Sequence, residues 1–219
     1  MTKHFASPLD ELWVSIDLET TGLSFDKDEI IEIGAVKFKR DKIIDTFHTF
    51  VNPYRQLDDF IKNYTGITQE DVDHAGPFSD VIPRLASFIA SAPIVGHNIA
   101  FDHGFLSSKG LDLSNERCDT WDMAFVFVPG GKEYGLSKIA SELGIEHPRP
   151  HRALDDAIVT QKLFVKLADI ANDINVVTLN EMERLASSSS WVLSYFLRSL
   201  IKTKLHSKSI SSRQKVDSL

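Results

Sequence analysis

The chain has 219 residues, with 24 Lys and Arg against 31 Asp and Glu, which allows one domain of about 150 to 200 residues and an appendage. The acidic balance excludes a binder that wraps nucleic acid in a whole-chain positive field, but not an enzyme that gathers carboxylates around cations. Cys118 is the single cysteine, so no disulfide framework is available and a reducing, cytoplasmic compartment is expected.

The first residues, MTKHFASPLDELW, lack the apolar run of a secretory leader, and no stretch approaches the roughly 20 apolar residues of a membrane span. A soluble protein with no membrane partner is expected. Leu12 to Ile16 reads as a short buried strand that ends in the turn begun by Thr21 and Gly22. Ile30 to Phe38 and Ile43 to Val51 are rich in β-branched and aromatic residues, and the KRDK between them suits a hairpin, so the first three strands predict an antiparallel meander. A loop around Asn52 and Pro53 follows, and then a helix start in which Thr68 and Asp71 form a capping pair.

Helical spacing of Val81, Leu85, Phe88 and Ile89 predicts a helix that stops before Pro93. Ile94 and Val95 read as a short buried strand leading into GHNIAFD, where Asn98 can cap a helix to about Lys109, closed by Gly110. A strand near Arg117 to Thr120, helices over 121–127 and 136–143, and a long helix over 153–170 complete this part. Strands first, then alternating helices and strands, point to an α/β or α+β domain with a mixed sheet.

After about Ala171 the texture changes. Residues 173–186 carry a weaker helical pattern, Ser187 to Ser190 break it, and WVLSYFLRSLI over 191–201 is densely apolar. That segment either packs on the domain or docks a partner. The expected organisation is an N-terminal extension over 1–11, a catalytic domain over 12–170, a helical extension over 171–201, and a disordered basic, serine-rich tail over 202–219.

Asp17 and Glu19, separated by one residue on a strand, point to one face. Asp102 lies one turn into the helix begun at Asn98 and can face the same cleft. In HRALDD, His151 sits just before a helix and Asp156 lies inside it. Four converging carboxylates repel one another unless cations or protons intervene. A divalent ion such as Mg²⁺, which prefers oxygen ligands, resolves the conflict. Two such ions roughly 4 Å apart can clamp the attacking and leaving oxygens of a phosphodiester. A histidine with a pKa near 6.5 suits removal of a proton from water at neutral pH.

DLETTG, GHNIAFD and HRALDDA, in that order, resemble the three motifs of the DEDDh group of DnaQ-like 3′–5′ exonucleases, over roughly residues 12–170. The resemblance implies a ribonuclease H-like mixed five-stranded sheet flanked by helices. It implies Asp17, Glu19, Asp102 and Asp156 as ligands of two divalent metal ions, Mg²⁺ or Mn²⁺, and His151 as general base. It also implies that Thr20, Thr21, Gly22, Leu23 and Asn98 meet the terminal nucleotide. The tyrosine-bearing sister group would have its tyrosine where this chain has Arg152, so the histidine subtype is preferred.

The expected activity is hydrolysis from the 3′ end of single-stranded DNA or RNA to nucleoside 5′-monophosphates, in proofreading, repair or processing. The alternatives are a subunit or N-terminal part of a larger polymerase or helicase, with the partner met through residues 171–201, and a non-catalytic nucleic-acid binding module. Asp155 reads as a solvated neighbour of Asp156 or one that supports it from behind the ligand set, His97 as packing or hydrogen-bonding at the strand end, and His103 and His147 as structural or exposed. Asp119 reads as structural and Cys118 as core. Gly130 to Lys132 lacks the pattern of a phosphate loop.

Overall fold

The computed structural model describes residues 7–216, with side chains through His206. A 3₁₀ turn at Pro8–Asp10 leads into β1 (Trp13–Thr20), β2 (Ile30–Lys39) and β3 (Lys42–Phe50). Helices α1 (Asp59–Thr65), α2 (Gln69–Asp73) and α3 (Phe78–Ile89) follow, then β4 (Ile94–Gly96), α4 (Ile99–Ser108) and β5 (Arg117–Asp119). The chain continues as α5 (Thr120–Phe127), α6 (Leu136–Glu142), α7 (Ala153–Asn172), α8 (Val176–Ser188) and α9 (Leu193–Val216).

The strands form one sheet in the order β3-β2-β1-β4-β5. β1–β2 and β2–β3 are antiparallel, whereas β1–β4 and β4–β5 are parallel. This is the expected mixed five-stranded sheet, with the predicted meander as its antiparallel half.

The period-2 geometry of β1 explains how core and chemistry share one strand. Val14, Ile16 and Leu18 enter the core on the α3 and α4 side. On the other face Trp13 packs on Phe164 of α7 at 4.6 Å between centroids, and Ser15 Oγ donates to the Ala157 carbonyl at 2.8 Å. Asp17 and Glu19 continue that second face, so the line that anchors α7 at one end delivers carboxylates at the other.

Three features differ from the expectation, namely α1, the start of α3 and residues 202–216, while the apolar segment over 191–201 takes the first of its two expected places. α1 falls where the sequence predicts no element: it is short, is capped by the Asp58 side chain at Ile61 N–H, and buries only Ile61 and Thr65, too few positions to show a helical period. α3 begins at Phe78, three residues before the first apolar position that marked it, and carries Pro83 inside. The apolar segment over 191–201 packs on its own chain: Leu193, Phe196, Leu197, Leu200 and Ile201 are buried in the same core as Trp13 and Phe164. Its apolar side is therefore not free to dock a partner. Residues 202–216, expected to be disordered, continue α9, as suits Lys, Arg and Gln extending a helix already nucleated by packing; residues 217–219 of that tail, and residues 1–6 of the N-terminal extension, lie outside the described residues.

Candidate active site

The carboxylate-bearing ends of β1, α4 and α7 meet at a cavity of about 440 Å³. Its lining includes Asp17, Glu19, Asp102, Asp156 and His151, with Thr20, Gly22, Leu23 and Asn98 at its edge. Thr21 is not part of that lining. Its hydroxyl accepts from Glu29 N–H at 3.0 Å and donates to Asp28 at 3.2 Å, which binds it into the turn instead. Thr20 Oγ1 donates to the Gly22 carbonyl at 2.6 Å, so both threonine hydroxyls shape the turn, and Leu23 projects into solvent, 84% exposed.

The α7 N-terminus is pressed against the sheet beside Asp17. Gly34 pairs with Asp17 across β1 and β2, and a Cβ at Gly34 would lie 2.1 Å from the Ala153 carbonyl carbon. Glu32, fully buried, accepts from Ala153 N–H at 3.0 Å and pairs with Arg152 at 2.9 Å and with His48 at 2.7 Å. Burial alone would raise the Glu32 pKa, but His48, Arg152 and the Ala153 N–H outweigh it and hold it low. Arg152, at the position that separates the two subtypes, thus serves to fix the start of α7.

Asn98 occupies the N-cap position of α4 with a left-handed backbone, φ 69°, but makes no side-chain cap. Asp119 does that work, accepting from Asn98 N–H and Ile99 N–H at 2.9 Å each and from Trp121 N–H at 2.8 Å. Asn98 lines the cavity without capping the helix, and the structural reading of Asp119 holds.

Electrostatically the site is frustrated without cations. Burial raises Asp17 well above the usual carboxylate range, and Asp102, Asp156 and Glu19 push it further. Burial, with Asp156 and Glu32, lifts Glu19 to about 8. Burial raises Asp102 as well, against the backbone N–H groups that favour its charge, and raises Asp156 in spite of His147 and His151. Glu19, His151 and Asp156 each place a ligand atom within 4.8 Å of the other two. Carboxylate oxygens supplemented by one imidazole, with ionisation suppressed first by burial and then by mutual repulsion, fit divalent cations of the hard, oxygen-seeking kind.

His151 sits with φ 64° and donates its backbone N–H to Asp156 Oδ2 at 3.0 Å. The other oxygen of Asp156 meets His147 Nε2 in a close contact, and His147 Nδ1 bonds Ser137 Oγ at 2.8 Å. His147, read from sequence as structural or exposed, is thus buried against a site carboxylate; no motif signals it, because Pro148, Arg149 and Pro150 intervene before HRALDD. Asp155 pairs with Arg149 at 2.9 Å, away from the carboxylate set. His97 bonds Thr120 Oγ1 and the Tyr134 carbonyl, and His103 the Leu113 carbonyl, as their structural readings require. Cys118 is fully buried in the core.

A mixed sheet whose central strand, together with two helix starts from remote segments, presents four carboxylates and an imidazole to one cavity defines a ribonuclease H-like nuclease. The profile of the exonuclease family RNase_T matches residues 14–164. The chain belongs to that family, and the DEDDh resemblance stands.

A PolC-type DNA polymerase III from Caldanaerobacter subterraneus subsp. tengcongensis is 37% identical over 186 residues, 83% of this chain and 13% of the relative. The 3′-5′ exonuclease DinG of Bacillus subtilis is 33% identical over 202 residues, 90% of this chain and 22% of that protein. Among solved structures, exonuclease X in complex with 5′ overhanging duplex DNA is similar with a TM-score of 0.62 and 26% identity, over 72% of this chain and 91% of that one. The chain therefore spans a small part of the length of the curated relatives it matches. No helix among the described residues is long and apolar enough to cross a membrane.

Proposed function

We propose that the chain is a 3′–5′ exonuclease that removes nucleoside 5′-monophosphates from the 3′ end of single-stranded DNA, using two divalent cations, Mg²⁺ or Mn²⁺. The observation that carries this reading is the meeting of Asp17, Glu19, Asp102 and Asp156 with His151 in one cavity. Such cations would make the scissile phosphorus more electrophilic and stabilise the charge on the leaving oxygen. The four carboxylates would hold them, and His151 accepts the proton of the attacking water. Leu23 and Asn98, at the rim, and the Thr20 to Gly22 turn seat the terminal nucleotide, with Thr21 acting through the turn.

A non-catalytic binding module is disfavoured by the same geometry, since a lapsed site has no reason to keep buried carboxylates in mutual repulsion. The PolC-type DNA polymerase III relative supports a second element of the reading, that the unit works beside a polymerase activity; a helicase partner and a cytoplasmic place are part of the same proposal. The apolar side of residues 191–201 is not its means of attachment, because it is occupied by the chain's own core.

The test is degradation of 5′-labelled single-stranded DNA and RNA oligonucleotides with Mg²⁺ or Mn²⁺, with chelator, and with Asp17→Ala beside the wild type. A ladder that shortens from the 3′ end and vanishes with chelator and in Asp17→Ala is expected, with DNA degraded faster than RNA. Absence of cleavage of either substrate by the wild type with metal present refutes the reading, and faster RNA cleavage refutes its substrate term.

A further inference from the structure

His151 must present a ring nitrogen toward the cavity, yet among the described residues no hydrogen bond holds its ring. The structure assigns that task to stacking. Tyr64 lies with its ring centroid 3.9 Å from the His151 ring, at an interplanar angle of 32°. Phe60, one turn earlier on α1, stacks on Tyr64 at 5.6 Å and 12°. We infer that Tyr64, backed by Phe60, is a positioning residue that fixes the imidazole of His151 by its face.

The chemistry favours a face contact. A hydrogen-bonding partner fixes an imidazole by occupying one of its two nitrogens, whereas a stacked ring leaves both edges free, one for the water proton and one for the passage of that proton to solvent. The main chain of His151 is fixed independently, by its N–H bond to Asp156 and its left-handed backbone. What remains undetermined is the rotation of the side chain, and that is the freedom a ring at 3.9 Å removes.

The strut has a rigid base. α1 is capped by Asp58 at one end and ended by Gly66 at φ 72°, and it buries Ile61 and Thr65 under the two exposed rings. Tyr64 itself is half exposed, so its replacement removes the stack without removing core. Tyr64 also lines the cavity, which makes direct contact with substrate the competing role.

This inference rests on His151 being the proton acceptor, and a double-mutant cycle separates it from the competing role. Single-turnover kcat and KM on a 5′-labelled single-stranded DNA would be measured for the wild type, Tyr64→Phe, Tyr64→Ala, His151→Ala and the Tyr64→Ala/His151→Ala pair. Tyr64→Ala is expected to lower kcat on the order of 10-fold with KM little changed, less than the roughly 100-fold of a 1 Å misplacement because the main chain of His151 stays fixed. Tyr64→Phe is expected to retain wild-type kcat, and the pair to be no slower than His151→Ala, which alone should fall about 10² to 10⁴-fold. If the two losses multiply, or Tyr64→Phe is as slow as Tyr64→Ala, Tyr64 does not act through His151.

The contact itself is read without turnover from the ring proton resonances of His151, assigned by their disappearance in His151→Ala. They should be shifted upfield by the Tyr64 ring and move downfield in Tyr64→Ala. Unmoved resonances overturn the positioning role whether or not the chain cleaves DNA, while near-normal turnover in His151→Ala overturns the proton-acceptor reading on its own.

Discussion

Glu19 illustrates what the site costs when no cation compensates it. Its carboxyl titrates at about 8 in the folded chain against an ordinary 4.5, because burial and then Asp156 and Glu32 oppose its charge. The folded state therefore holds a proton that the unfolded chain releases, so this group's contribution to stability is fully present below about 4.5 and is lost as pH rises through about 8. In chelator, the wild-type melting temperature should fall across that window. Glu19→Gln, neutral at every pH, should lack that part of the slope, its advantage over the wild type widening between about 4.5 and about 8 and levelling off above. Mg²⁺ should then raise the wild type more than Glu19→Gln, since a cation binding the folded state alone stabilises it by mass action. Thermal unfolding from pH 5 to 9, with and without Mg²⁺, decides the matter; parallel curves for the two proteins would show that Glu19 is not under this strain.

At the scale of elements, the decisive contact is between β2 and the first turn of α7. Gly34 leaves no room for a side chain there: a Cβ would collide with the backbone of Ala153 and Leu154 at 2.1 and 2.2 Å, and backbone cannot swing aside as a flexible side chain can. Gly34→Ala should push the α7 start off the sheet, carrying Asp156 away from Asp17 and Glu19. The expected cost is about 1 to 3 kcal/mol of stability from overpacking. Nuclease activity measured well below the melting temperature should fall on the order of 100-fold, as for a misplacement of about 1 Å. Activity within twofold of wild type would mean that the site tolerates the shift and that the close approach serves packing alone. The same region shows what was legible in the sequence. The carboxylates were, because a strand at period 2 and two helix starts each put them in a recognisable place. Glu32, His147 and the rings of α1 were not. Glu32 reads as an ordinary strand residue until Arg152 and Ala153, some 120 positions away, close on it. His147 reaches Asp156 around two prolines that hide any helical or strand spacing. The seven residues of α1 show too little periodicity to be told from the loop before them.

In the whole molecule, the extension after α7 and the nuclease fold are one packed body rather than a domain with a sticky appendage. Phe196 of α9 is fully buried, and its ring meets Phe164 of α7 at 5.8 Å and Phe127 of α5 at 6.3 Å. Tyr195 donates its hydroxyl to Glu11 at 2.7 Å, tying α9 to the residues just before β1. Phe164 in turn packs on Trp13, so α9 supports both the strand that carries Asp17 and the helix that carries Asp156. Phe196→Ala should therefore destabilise the isolated chain by about 3 to 5 kcal/mol, the usual cost of truncating a buried aromatic, with no partner needed to reveal it. Were the apolar side of α9 a docking face, the same substitution would behave as a surface change, within about 0.5 kcal/mol of wild type, and would instead weaken a complex. Urea unfolding of the two proteins distinguishes the cases. A large loss of stability in the isolated chain places the support of the helix that carries Asp156 in the extension.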